Sequence, residues 1–399
     1  MRQINFLNRI VILSIVFLFL VVSAQAATFT INSTLDDGDL TPGNGLCATA
    51  LGSCTLRAAI EEVNFTSTTN TFNFAIAGAG VKTFIPASAY PSIVGTTVTI
   101  DGWTQGGAGY TGSPLIEING TNAGAGANGL RLGSGHTIRG LAINRFSGNG
   151  IQLEQNGNTI QGCYIGTDAT GNLDLGNTLN GINVISANNT IGGSLIRFRN
   201  VISGNNTSGI TLQQGSNDFF PNGNVIIGNY IGTTASGAAA IPNGEHGIYL
   251  KGFGVTLNTI GGTTAGERNV ISGNTQYGIN LDSINGFFLP VDNIVTGNYI
   301  GTDASGTADL GNGSGGINIA SGSSGNQIGG TTAGERNVIS GNGVAGSYGG
   351  IVIRGAATTS NVITGTCNKA ASTITLGKPS RNEVKIKISL MDKYLGISF

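Results

Sequence analysis

Eight residues, Glu-Arg-Asn-Val-Ile-Ser-Gly-Asn, stand at Glu267–Asn274 and return unchanged at Glu335–Asn342, with a close variant at Phe198–Asn205. No other feature limits the fold of this chain so strongly. A catalytic motif is needed once, whereas a segment that recurs every ~68 residues describes an architecture in which each copy packs on the next.

Three short strand signals make up the repeat. The first is Gly-Ile-x-aliphatic, beginning at Gly150, Gly181, Gly209, Gly247, Gly278, Gly316 and Gly350, with an earlier relative at Gly129. An Asn-x-aliphatic signal follows each, at Asn158, Asn189, Asn224, Asn258, Asn293, Asn326 and Asn361. The third is Tyr-Ile-Gly-Thr (Tyr164, Tyr230, Tyr299) or Asn-Val-Ile-Ser-Gly-Asn (Asn200, Asn269, Asn337), so the long interval holds two rungs. The rungs differ in where a loop is inserted: after the third strand, as from Gly301, or between the second and third, as from Gly261. Gly and Asn tolerate the left-handed backbone of tight corners. Three strands per turn with such corners predict an all-β, right-handed parallel β-helix, its aliphatics stacked in the core and its asparagines in hydrogen-bonded ladders. A propeller or sandwich of hairpins would show two-residue turns and more aromatic residues.

The expected layout is a signal peptide over 1–26, an N-terminal cap and first coils over 27–128, β-helix repeats over 129–368, and a divergent tail over 369–399. Arg2 and Arg9 precede an apolar run at Ile10–Val22, and Ala24-Gln25-Ala26 offers small residues for cleavage. That run is shorter than the ~20 residues a membrane span needs, so no transmembrane segment is expected in the mature chain. Charged residues are 10% of the chain and balance to −1, which shows no electrostatic footprint for nucleic acid. Export favours a disulfide between Cys47 and Cys54, and no nearby Cys or His completes a zinc site. Cys163 and Cys367 lie too many rungs apart to bond. In the tail, Val384, Ile386, Ile388 and Leu390 alternate with polar residues, as in a strand closing the open end.

Thr55 begins "TLRAAIEEVN", in which it can cap a short helix with Leu56, Ala59, Ile60 and Val63 on one face, covering the first coil. Thr28–Asp37 and Thr96–Gly102 read as strands of the first coils. The stretch "CTLRAAIEEVN" resembles the Cys-Ser-Leu-Arg-Glu-Ala motif near the start of many exported bacterial β-helix proteins, and "VTIDGWTQ", "TIRGLAINRFSGNGI" and "GTTAGERNVISGN" resemble their coils. Thr55 stands for the usual Ser and Ala58 for the usual Glu, so any polar contact of that Glu is missing. The resemblance implies the fold and a secreted or cell-surface location; it implies no activity. Pectate-lyase-like enzymes share the fold only by analogy.

Residues that recur at one rung position are expected to be structural, and singular polar residues are the candidates for chemistry. Glu267–Arg268 and Glu335–Arg336 read as loop ion pairs or solvated charges. Asp168, Asp174, Asp303 and Asp309 could offer oxygen to calcium, but the equivalent loop from Gly232 lacks both acids, so turn-capping fits better. His136 takes a ladder position and His246 precedes a strand; no metal spacing or Ser/His/Asp order is visible, and neither cofactor nor metal is expected. The outward column Gln152, Asn183, Thr211, Tyr249, Asn280, Asn318, Val352 and its neighbour containing Lys251 and Asp282 read as a wet face. Tyr249, Lys251, Asn280 and Asp282 form its most varied patch and are the candidate carbohydrate contacts, with Lys251 and Asp282 near enough to pair.

The expected function is that of an exported, monomeric, non-catalytic adhesin-like or glycan-binding β-helix, its partner a polysaccharide or cell-surface glycan. The alternative is a polysaccharide lyase or glycoside hydrolase. A lyase needs a base and a cation at the uronate carboxylate, and a hydrolase two carboxyls across one bond; the acids here are scattered.

Overall fold

A computed structural model describes residues 26–215, 220–283, 289–343, 349–355 and 358–365, and the backbone of two strands at Thr373–Leu376 and Gly396–Ser398. The signal-peptide run, Cys367 and the alternating tail segment at 384–390 lie outside the described residues.

The chain is a right-handed parallel β-helix of three sheets, with 11, 9 and 10 strands, and every strand pair in them is parallel. Sheet one holds the Asn-x-aliphatic strands, sheet two the Tyr-Ile and Val-Ile strands, and sheet three the Gly-Ile-x-aliphatic strands. Register brings like onto like: Ile160 lies beside Ile138 and Ile191, Ile202 beside Ile165 and Ile231, and Leu212 beside Val184 and Leu250. These aliphatics are fully buried, and stacking them removes from water the face that a lone rung would expose. Sheet three starts at Leu130–Leu132; the coils before it contribute strands only to sheets one and two.

Three buried asparagine ladders seal the corners. The first runs Asn158, Asn189, Asn224, Asn258, Asn293, Asn326 and Asn361, and each asparagine after Asn158 takes the side-chain amide and backbone N–H of the one before. His136 heads this ladder: its N–H donates to Asn158 Oδ1, and its Nδ1 accepts from the Val98 N–H. The residue before each rung's ladder position is left-handed, with φ between +55° and +80° at Gly135, Gly157, Asn188, Gly223, Leu257, Asp292, Gly325 and Ser360. Leu257 is the bulky exception. A second ladder runs Asn200, Asn229, Asn269, Asn298, Asn337 and is headed by Cys163, whose N–H donates to Asn200 Oδ1. The third joins Asn177, Asn205, Asn243, Asn274, Asn312 and Asn342, drawing alternately on the two loop types. Buried polar groups are tolerable only when paired, and here each amide meets the next.

The helix Leu56–Val63 closes the first coil. Thr55 caps it, accepting from the Ala58 N–H, and Leu56, Ala59, Ile60 and Val63 are buried. Arg57 bonds Asp36 at 2.9 Å and the carbonyls of Ser88 and Ala89, and the buried Glu62 takes the Gly43 and Gly45 N–H groups. Cys47 and Cys54 are joined by a disulfide. The strand expected over Thr28–Asp37 ends at Ile31, because Asn32 turns away to exchange hydrogen bonds with Cys54.

Candidate functional site

The sheet-three patch is only partly a surface. Tyr249 lies beside Asn280 and Lys251 beside Asp282, each pair in parallel register. Asn280 is 4% exposed, however, and its amide is spent on His246 Nε2 and on Asn318, so it is not a surface contact. The column expected to be wet is largely covered: Gln152, Asn183, Thr211 and Asn318 are buried as well. Corner residues lean onto it, Asn149 donating to Gln152 and Asn180 accepting from Thr211. Lys251 and Asp282 do not close to an ion pair. The ammonium lies 5.6 Å from the Tyr249 ring centre, while Asp282 accepts from the Ser283 N–H. Burial, then the nearby Asp282 and Glu245 carboxylates, pushes the Tyr249 phenol up to about 12, so the ring is neutral and keeps its proton. What remains at the surface is Tyr249, Lys251 and Asp282.

Glu267 and Arg268 are committed to the fold, though not to each other. Glu267 curls back to accept from the Thr263 and Thr264 N–H groups and the Thr264 hydroxyl, which holds its carboxyl below the usual range. Arg268 instead lies over the Tyr299 ring at 4.2 Å and donates to the Gly297 carbonyl, and Arg199 lies over Tyr230 at 4.0 Å. Asp168 and Asp303 cap their own loops through backbone N–H groups and the hydroxyls of Thr170 and Ser305. Among the described residues, no group of three or more His, Cys, Asp and Glu is placed to hold a metal ion.

Sheet two carries an outward lane. Its strands place Tyr164, Val201, Tyr230, Val270, Tyr299 and Val338 side by side in that order, so a tyrosine points away from the core on every second rung; Val201, Tyr230 and Val270 are covered by their neighbours, and Tyr164, Tyr299 and Val338 are half-buried. At ~4.8 Å per strand the lane extends ~24 Å. One wall is the row of loops after the Tyr-Ile strands, tied together where the Ala235 N–H donates to Gly171 and the Ala304 N–H to Gly237. The other is the row between sheets one and two, where the Gly162, Gly228 and Gly297 N–H groups donate to Phe198, Glu267 and Glu335.

Where the repeat begins, that second wall changes. Ser194-Leu195-Ile196-Arg197-Phe198 occupies the place that Thr-Thr-Ala-Gly-Glu fills in both later copies. Phe198 stacks on Trp103 (6.2 Å, 30°), and guanidinium groups flank the two rings, Arg197 over Phe198 at 4.8 Å and Arg139 over Trp103 at 5.6 Å. Trp103 fits there because Gly140 and Gly162 leave room; a Cβ on either would meet its ring. Asp101 holds the Trp103 turn by accepting its N–H, and bonds Arg139 at 2.6 Å. Two adjoining clefts result, of about 370 and 280 Å3, both lined by Thr111 and Arg197 and continuous with the lane at Tyr164 and Arg199. None of these residues was a candidate for binding in the sequence, though the departure of one loop from two identical copies is a visible signal.

Among the described residues, no helix is long and apolar enough to cross a membrane. No family pattern matches the chain, and no curated protein is similar to it in sequence. Among solved structures, the A-module of Azotobacter vinelandii mannuronan C-5 epimerase AlgE4 is similar over 92% of this chain and 98% of that one, with 15% identity and a TM-score of 0.49. ORF18 of Geobacillus virus E2 is similar over 93% and 61%, with 13% identity and a TM-score of 0.43. Pectate lyase Pel9A is similar over 93% and 80%, with 14% identity and a TM-score of 0.35. Likeness at this level carries over no residue role and no activity.

Proposed function

We propose that the chain is an exported, monomeric β-helix protein that binds polysaccharide along its side without transforming it. The observation that supports this reading is the sheet-two lane, a row of tyrosines and stacked arginines between two loop walls, half-exposed at Tyr164, Arg199, Arg268 and Tyr299. Aromatic faces suit the apolar faces of sugar rings, and guanidinium groups offer paired donors to their oxygens. The acids along the walls are spent on loop N–H groups rather than arranged across a bond. The resemblance of Cys54–Asn64 to the start of exported bacterial β-helix proteins supports secretion or display at the cell surface. Tyr249, Lys251 and Asp282 are proposed as a second, smaller contact. The test passes the purified protein over an array of neutral and acidic glycans and incubates it with uronate polymers. Retention without new ultraviolet absorbance or reducing ends is the expected result. Absence of retention on every glycan refutes the reading, and polymer cleavage transfers it to the lyase or hydrolase alternative.

A further inference from the structure

We propose that the two clefts around Arg197 bind the carboxylate-bearing sugars of an acidic polysaccharide, an inference that rests on the glycan-binding reading above. Four features of the site carry it.

Charge comes first. Across both clefts the lining cations are Arg139, Arg197 and Arg199, and the one lining carboxylate, Asp101, is already paired with Arg139. Neither Arg197 nor Arg199 forms an ion pair among the described residues. The second feature is shape. The half-buried Phe198 stacks at 30° on the buried Trp103 with a guanidinium group over each ring, and the larger cleft beside them lies within the ordinary size range of small-ligand pockets, ~300–1,000 Å3. A sugar ring resting beside that stack brings its carboxylate within reach of a fork-shaped donor, which guanidinium offers and ammonium does not.

Uniqueness is the third. Arg197 and Phe198, the loop's share of the stack and its charge, occur in one copy of the loop, while the later copies close on themselves through Glu267 and Glu335. Packing alone is therefore satisfied by the simpler loop. Exposing Leu195 (51%) and Ile196 (78%) beside two arginines serves no internal contact. Continuity is the fourth: the smaller cleft opens onto Tyr164 and Arg199, so a chain seated here continues along the lane. Three arginines in a chain of net charge −1 suit a polymer with one charge per sugar. Double-stranded nucleic acid, with a charge every ~1.7 Å, calls for a far broader basic face.

The experiment is calorimetric titration of the full chain with an oligogalacturonate, its methyl ester, a neutral cello-oligosaccharide and a single-stranded oligonucleotide. Oligogalacturonate is expected to bind, more weakly as salt rises, with the ester at least about tenfold weaker. Arg197→Gln and Arg199→Lys should each weaken uronate binding about tenfold. Arg197 is exposed, so its variant should melt with the parent. Equal binding of acid and ester, or parental binding by Arg197→Gln, overturns the inference, as does tighter binding of the oligonucleotide. Retention of neutral glycans alone also overturns it while leaving polysaccharide binding intact, whereas failure on the entire array removes both.

Discussion

The corner between sheets one and two is built by the same loop three times, and the first copy differs from the other two in kind. All three open on a left-handed glycine, Gly192, Gly261 or Gly329, and end on an arginine before a ladder asparagine. At Gly192 and Gly261 a Cβ would strike the carbonyl of the next rung, Ile227 or Thr296, so the frame admits only glycine. Inside that frame the later copies satisfy themselves, Glu267 capping Thr263 and Thr264. The first copy has no such cap; its Phe198 reaches across to Trp103 and its Arg197 faces open space. Repetition marks what packing requires, and departure from repetition marks residues free to meet something else.

Four variants sharpen or break that contrast. The largest effect should come from a repeated residue. Asn258→Ala deletes a side chain that accepts from Asn224 twice and donates to Pro221 and Asn293, leaving buried partners unpaired. A loss of ~4 kcal/mol is expected in chemical denaturation, with glycan binding by the folded protein unaltered. A change below ~1 kcal/mol would mean that the ladders are not what holds the corners.

Next is a singular residue that is structural all the same. Burial lowers the pKa of His136 to about 4, and does the same at His246. Unfolded, each imidazole takes up a proton near 6.5; folded, it does so only near 4. Stability is thus complete above about 6.5 and falls as pH drops toward 4, by up to ~3 kcal/mol per histidine. His136→Asn restores the ladder residue of the other rungs and should remove roughly half of this histidine-linked loss. Denaturant midpoints at neutral and acidic pH measure it, and an unchanged pH slope would show that His136 titrates normally.

The comparison can be tested directly by giving the first loop the later sequence: Ser194→Thr, Leu195→Thr, Ile196→Ala, Arg197→Gly and Phe198→Glu together. Uronate binding should fall at least about tenfold, while stability changes by only ~1 kcal/mol, the worth of the lost Phe198–Trp103 stack. Full binding by the graft would place the contact elsewhere. The smallest effect should be a gain. Leu257 holds φ at +56° where other rungs carry Gly, Asn, Asp or Ser, and it is 64% exposed. Leu257→Asn should stabilise the fold by ~1 kcal/mol, and a lower melting temperature would mean that the exposed side chain makes a contact worth more than the strain.

Much of the architecture could be read from the chain. The Gly-Ile-x-aliphatic, Asn-x-aliphatic and Tyr-Ile signals fall on three sheets, Thr55 caps its helix, and His136 and Cys163 head ladders. Less of the site was legible. Alternation along a strand says that Gln152, Asn183 and Asn280 point away from the core, but not that Asn149, Asn180 and His246 lean across to cover that column. The same alternation puts Lys251 opposite Asp282 without saying that the ammonium turns to the Tyr249 ring. Period-two patterning records the direction of a side chain; what approaches it laterally comes from other corners.

What the sequence determined by itself is therefore the repeat: rung length, three strands per turn, stacked aliphatics, and glycine or asparagine at bends. Each rung contacts only its neighbours, and a nearest-neighbour structure leaves a periodic trace in one dimension. Tertiary structure alone decided where Trp103 meets Phe198 and Arg139 meets Asp101, because those contacts join segments from separate coils with no shared period. The winding of the helix carries the two loops to one edge, and the residues that break the repeat become a cleft only there.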